Sequence, residues 1–146
     1  MNRSDKIERL LETRHWVVDI LPMQVPADGS GQYFEVEQYY LQEPRRSELC
    51  ARFVNLLIKL NCYYDIEVNV PLADDWNLNP KPKHLAQRVS ECMGKNQPLL
   101  VLIDQTDTLM TLNWDTYMTV YNPPPEVLGL VRSLAAAEGF FVWQPQ

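Results

Sequence analysis

Long apolar runs are missing from this sequence of 146 residues. The longest uninterrupted aliphatic stretch is LLVLI at positions 99–103, and the first fifteen residues, MNRSDKIERLLETRH, carry charges throughout. A membrane-spanning helix needs about 20 consecutive apolar residues, and a signal peptide needs an apolar region of roughly 7 to 15. We therefore expect no membrane segment and no export by this route.

Cysteine is also scarce, and the cysteines present are not spaced for a metal or redox pair. Cys50, Cys62 and Cys92 form no CxxC motif, and a zinc ion would have to recruit His15 and His84 from distant elements. Thiols without a secretory signal are typical of a reducing compartment. We predict three free thiols, a cytoplasmic location and no metal site.

Basic residues are outnumbered by acidic ones. The 13 Lys and Arg side chains stand against 19 Asp and Glu, which gives a net charge of −6 and a pI near 4.8. Nucleic-acid binding relies on clustered Lys and Arg, so a nucleic-acid partner is not expected. From position 96 to the end, five acids stand against a single base, Arg132. Such a region fits a basic protein partner, although acidity of this size also serves solubility alone.

The motifs of common enzymes and cofactor sites are missing too. GxSxG, HExxH and phosphate-loop patterns do not occur. DGSG at 28–31 precedes an expected strand, whereas a phosphate loop requires a helix N-terminus. His15 and Asp19 share one face of a predicted strand, but about 13 Å of extended chain separates them, which is too far for a catalytic dyad. No cofactor is therefore expected.

Periodic segments follow one another along the whole chain. Apolar residues recur at helical spacing in 1–13, 44–60, 84–93 and 123–139. Strand patterns occur at 15–22, 32–41, 62–70, 99–103, 108–121 and 140–144. These elements predict an α+β fold in one domain, 1–146, with a mixed or antiparallel sheet of about six strands and four helices. The order αββαβ occurs in 1–70 and again in 82–146, but residue identities between these units are too few to indicate duplication.

The strand expected at 108–121 alternates without a change of phase. Tyr117, Thr119 and Tyr121 fall at odd positions, while five apolar residues fall at even ones: Met110, Leu112, Trp114, Met118 and Val120. A two-residue hairpin turn would place residues of opposite parity on one face. We therefore predict one long or bent strand with Trp114 buried, preceded by an exposed turn, DQTD, at Asp104 to Asp107.

Two groups of residues are candidates for contacting a partner. The first lies in the loop predicted at 71–83, where Trp76 is expected to anchor the loop at the junction of the two units, with Asp74 and Asp75 at the rim of a groove. The second is a polar strand face bearing Tyr117 and Tyr121. Tyrosine is favoured at protein interfaces, although it also simply prefers strands.

Two classes of function stay open at this point. The first is a small acidic binding or adaptor protein of inhibitor, chaperone or immunity type, which contacts a protein or peptide partner through the Tyr- and Asp-rich surface. The alternative is a small hydrolase or transferase with a carboxylate and histidine site formed by Asp74, Asp75, His84 and Asp104. Because no nucleophile and base motif is present, the sequence favours the binding protein.

Overall fold

The fold was examined in a computed structural model, which describes residues 2–29, 31–70 and 75–145. In these residues the protein is α+β, with five α-helices and seven strands. The helices are α1 (Arg3–Leu10), α2 (Tyr33–Tyr40), α3 (Arg45–Leu60), α4 (Pro82–Gly94) and α5 (Pro125–Ala137). The strands are β1 (His15–Asp19), β2 (Glu67–Val70), β3 (Asp75–Leu78), β4 (Leu99–Ile103), β5 (Thr108–Leu112), β6 (Tyr117–Tyr121) and β7 (Phe141–Trp143).

The seven strands form one sheet in the order β3-β2-β4-β5-β6-β1-β7, and every neighbouring pair is antiparallel. The predicted α+β class with an antiparallel sheet is therefore confirmed, with one strand and one helix more than expected. The second unit runs αβββαβ where αββαβ was predicted, because 108–121 contains two strands, β5 and β6. The first runs αβααβ, because 32–41 contains a helix where a strand was predicted.

Three helices cover the first face of the sheet and form the main core with it. The apolar residues at helical spacing in α3 are buried: Leu49, Phe53, Leu56, Leu57 and Leu60. Helices α4 and α5 pack beside this stripe. The strands contribute the even-numbered side chains of β1, β5 and β6 to this core, among them Val18, Met110 and Val120. The odd-numbered side chains of the same three strands therefore point to the second face.

Helix α1 covers one half of the second face, over β2, β4 and β5. Leu10 packs against Leu102 and Leu109 in a small buried cluster. Lys6 reaches the turn after β4, where its Nζ lies 2.6 Å from a carboxylate oxygen of both Asp104 and Asp107. This turn is solvent-exposed, as predicted. The helix is thus held both by apolar packing and by an ion pair.

The prediction of one continuous strand at 108–121 is wrong, because the segment is a hairpin. Strands β5 and β6 pair in the register Leu112 to Met118, which leaves five residues between these partners. An odd number of intervening residues preserves parity across the hairpin, so the alternation never changes phase although the chain reverses. Trp114 is buried at this reversal, as predicted, with a left-handed φ of 65°. Its indole donates to the Gln97 carbonyl.

Two further segments differ from the sequence prediction. The strand expected at 32–41 is helix α2, in which Tyr33 donates a hydrogen bond of 3.3 Å to Glu37 one turn later. Because the segment is short, its apolar side chains fit both the period of a strand and the period of a helix. The loop expected at 71–83 contains strand β3, which pairs with β2. Positions 71–74 lie outside the described residues.

The three cysteines are free thiols in the structure, as predicted. Cys92 is buried, Cys50 is half-buried and Cys62 is exposed. Burial raises the pKa of the Cys50 thiol to about 11, so this side chain stays protonated at neutral pH. No helix within the described residues is long and apolar enough to cross a membrane.

Candidate functional site

The other half of the second face, formed by β6, β1 and β7, lies beneath an open cleft. Its volume is about 760 Å³, which falls in the range of ordinary ligand pockets. We define the cleft by the side chains of His15, Asp19, Tyr33, Tyr117, Tyr121 and Trp143. The chain between β1 and α2 crosses one side of it through Val25 and Pro26.

The floor of the cleft is built by the pairing of β1 with β6. In this register His15 lies opposite Tyr121, Val17 opposite Thr119, and Asp19 opposite Tyr117. All these positions are odd, so their side chains share one face of the sheet. The rings of His15 and Tyr121 are tilted neighbours with centroids 5.4 Å apart. The same alternation that fills the core therefore also composes the floor of the cleft.

Asp19 places a carboxylate deep in this floor. The residue is only 6% exposed, and its Oδ1 accepts a hydrogen bond of 2.7 Å from the backbone N–H of Ile20. Burial raises the pKa of this carboxyl, opposed by backbone N–H groups of Ile20 and Leu21 and by the Trp143 indole. The indole N–H of Trp143 is buried, yet it makes no hydrogen bond of ordinary geometry within the described residues. The carboxylate is thus only partly compensated for its loss of water.

Tyr33 and Tyr117 lie near negatively charged side chains at the same end of the cleft. Burial, followed by the charges of Glu37 and Asp19, raises the pKa of Tyr33. Burial, followed by the charges of Asp115, Glu37 and Asp19, raises the pKa of Tyr117. Both phenols therefore stay neutral at physiological pH and present aromatic faces to a ligand beside three acids.

The structure describes four of the five predicted partner-binding residues, and these lie in two separate places. Tyr117 and Tyr121 lie in the cleft. Asp75 and Trp76 lie on β3 at the far edge of the sheet, four strand spacings or roughly 19 Å from β6. Trp76 is half-buried against the α1 cluster, with the Arg3 guanidinium 5.1 Å from its ring centroid. Asp74 lies outside the described residues.

The residues of the alternative enzyme site do not converge in the described structure. Asp104 is paired with Lys6 of α1 on the second face. His84 is exposed on α4, which packs on the first face. Asp75 begins the edge strand. Within the described residues, no three His, Cys, Asp or Glu side chains are grouped to hold a metal ion.

Three residues of the cleft were not predicted to contact a partner: His15, Asp19 and Trp143. About 13 Å separates His15 from Asp19, which is too far for a catalytic dyad. The same distance is long enough for the floor of a ligand-binding cleft. The position of β1 between β6 and β7 joins segments more than a hundred residues apart. The shared face of His15 and Asp19 was the one signal in the sequence.

Comparison of the chain with protein-family models, with curated proteins and with solved structures finds no match. The function is therefore inferred from the chemistry of the residues alone. In the cleft these residues offer aromatic surface, hydroxyl groups and a buried carboxylate. Such groups are suited to holding a ligand by contact and charge.

Proposed function

We propose that this protein is a cytoplasmic binding or adaptor protein, of inhibitor, chaperone or immunity type, that holds a segment of a partner protein in the cleft. The observation that carries the proposal is the open cleft of about 760 Å³ with Tyr117 and Tyr121 in its floor. Free thiols support a reducing compartment. Tyrosine supplies large, rigid contact area with a polar tip, which suits a protein interface.

Exposed aromatic residues beside the cleft support a macromolecular partner. Phe34 lines the cleft but remains 67% exposed. Phe141 lies opposite Asp19 in the sheet and is also exposed. Large apolar side chains at the edge of a cleft add contact area for a partner that extends beyond the pocket itself. The hydrolase or transferase alternative gains no such support, because Asp104 is paired with Lys6 on the second face whereas His84 lies on α4 on the first.

A peptide-display selection tests this proposal. Short random peptides selected on the wild-type protein should bind it and should fail to bind Thr119→Trp, because Thr119 lies in the centre of the floor and an indole there fills the cleft. Gln87→Trp is the matched control, since it adds the same side chain to the exposed surface of α4 on the other face. Circular dichroism verifies that both variants fold.

Amide chemical shifts of the wild-type protein give a second readout that requires no variant. Addition of a selected peptide should shift the amides of β1, β6 and α2. Equal binding to wild type and Thr119→Trp would contradict the proposal. So would shifts confined to β3 and α1, which would place the partner at Trp76 instead.

A further inference from the structure

We propose that the cleft selects a positively charged organic group, held between the rings of Tyr33 and Tyr117 with Asp19 as its counter-charge. The inference rests on the proposed function, for which it supplies the chemistry of recognition. The group is the side chain of a lysine or arginine in the partner segment. A free organic cation has the same chemistry, and the experiment below distinguishes these two sources.

The first support is an uncompensated charge. Asp19 is buried in the floor, and the groups that compensate it are backbone N–H groups and the Trp143 indole, not a cation. No Lys or Arg among the described residues lines the cleft. His15, the one basic side chain there, lies about 13 Å away along β1 and cannot pair with Asp19. Buried carboxylates in proteins are normally paired with a cation, so the arrangement leaves a place for one.

The second support is a contrast with the rest of the molecule. Four aromatic rings elsewhere each carry an arginine of this chain, with guanidinium carbon to ring centroid distances of 3.7 to 5.6 Å. The closest of these places Arg45 over Tyr39. In the described structure the cleft tyrosines have no such partner. Their faces are therefore open to a cation brought by a ligand.

The third support is the sign of the local field. Glu37 accepts a hydrogen bond from Tyr33, and Glu37 and Asp19 both act on Tyr33 and Tyr117. A cation entering here meets negative charge at the floor and at the side, and π-electron density on the rings. A carboxylate or phosphate would meet repulsion from the same groups. The chemistry of the cleft thus separates ligands by charge.

The test compares ligands that differ in charge but not in shape. Nα-acetyl-arginine methylamide and Nα-acetyl-lysine methylamide should shift the amides of Asp19 and Tyr117 in the wild-type protein. The citrulline analogue replaces the guanidinium with a neutral urea of the same outline, and we expect it to bind at least about tenfold more weakly. Equal affinity for arginine and citrulline would overturn the inference.

Asp19→Asn supplies a second comparison, with Asp75→Asn as the matched control. Both variants remove one negative charge, but Asp75 lies on the far edge of the sheet. Asp19→Asn should reduce arginine affinity at least about tenfold, whereas Asp75→Asn should leave it within about twofold. Unchanged affinity in Asp19→Asn would overturn the inference. If this variant does not fold, the arginine and citrulline comparison on wild type decides alone.

The outcomes separate this inference from the proposed function. Selected peptides that occupy the cleft without enriched Lys or Arg would refute the cation and leave the peptide-binding function standing. Binding of the arginine and lysine compounds without any selected peptide would identify a free organic cation as the ligand and refute the peptide-binding function. Failure of both ligand types would refute both.

Discussion

The two halves of the second sheet face are built from the same alternating strands but are used differently. Over β4 and β5 the outward positions are mostly aliphatic, and Leu102 and Leu109 are closed off by Leu10 of α1. Over β6 and β1 the corresponding positions carry tyrosine, threonine, histidine, aspartate and one valine, and they form the floor of a cleft. One half is covered by a helix, and the other lies beneath an open cleft.

This difference shows that side-chain type at the outward positions decides whether a sheet face is covered. Leucine gains stability only when water is removed from it, so it requires a packed helix. Tyrosine and threonine keep a polar group that can remain hydrated, so the same backbone tolerates an open surface. The three predictions below disturb first the covered half and then the open one.

The largest effect is expected from Leu10→Ala, which removes the side chain that joins α1 to the sheet. Leu10 is fully buried against Leu102 and Leu109. Loss of a buried leucine side chain removes its apolar contacts and leaves a cavity, so the free energy of unfolding should fall by about 3 kcal/mol. Urea unfolding followed by circular dichroism measures the change.

Leu11→Ala is the control for this experiment, because Leu11 is the next residue and is 44% exposed. It should cost less than about 0.5 kcal/mol, as surface substitutions usually do. Equal losses for the two variants would mean that α1 is not held by the buried cluster. Ligand binding in the cleft should be unchanged in the folded fraction of both, since neither residue lines it.

An intermediate effect is expected from Trp76→Ala. Trp76 is half-buried in an edge strand, against the α1 cluster and beneath Arg3. Its removal should lower the free energy of unfolding by about 2 kcal/mol, less than for a fully buried tryptophan. Affinity for a cleft-binding peptide should stay the same. Trp76→Phe keeps an aromatic ring beneath Arg3 and should recover part of the stability; loss of peptide binding in either variant would restore Trp76 as a partner contact.

Much of the fold could be predicted from the sequence because its longest elements have one clear period. The stripe of α3 extends over about three turns, and LLVLI has the length and composition of a buried strand. Other short segments are ambiguous. In α2, β3 and the reversal at Trp114, the pattern fits more than one structure, and packing against distant elements decides between them.

The cleft could be predicted only in part for a related reason. Tyr117 and Tyr121 share a polar strand face that the alternation of β6 indicates by itself. Asp19 and Trp143 join them only because β1 pairs with both β6 and β7, and strand order is not encoded in local periodicity. Likewise, nothing local indicates that β3, which carries Trp76, lies at the opposite edge of the sheet.

The smallest effect on stability, and the sharpest test of the open half, is expected from Asp19→Asn. Burial raises the pKa of Asp19 in the folded state above its value in the unfolded chain. The folded protein therefore holds this proton more tightly, and its stability falls as pH rises from the unfolded pKa through the raised folded pKa. The asparagine variant lacks this decrease, so its stability relative to wild type should increase from acid toward neutral pH.

Subtraction of the two unfolding curves isolates Asp19, because every other ionisable side chain of the cleft is present in both proteins. A difference that declines from acid to neutral pH would mean that the carboxylate stabilises the fold, and that Asp19 is a structural acid. A ligand that binds only the folded state raises its stability by mass action. Nα-acetyl-arginine methylamide should therefore stabilise the wild type above the pKa of Asp19, where the carboxyl is charged, and much less below it. In Asp19→Asn the ligand should stabilise the protein only weakly at either pH. The carboxylate that lowers the stability of the unliganded protein as pH rises would then be the group that binds the cation.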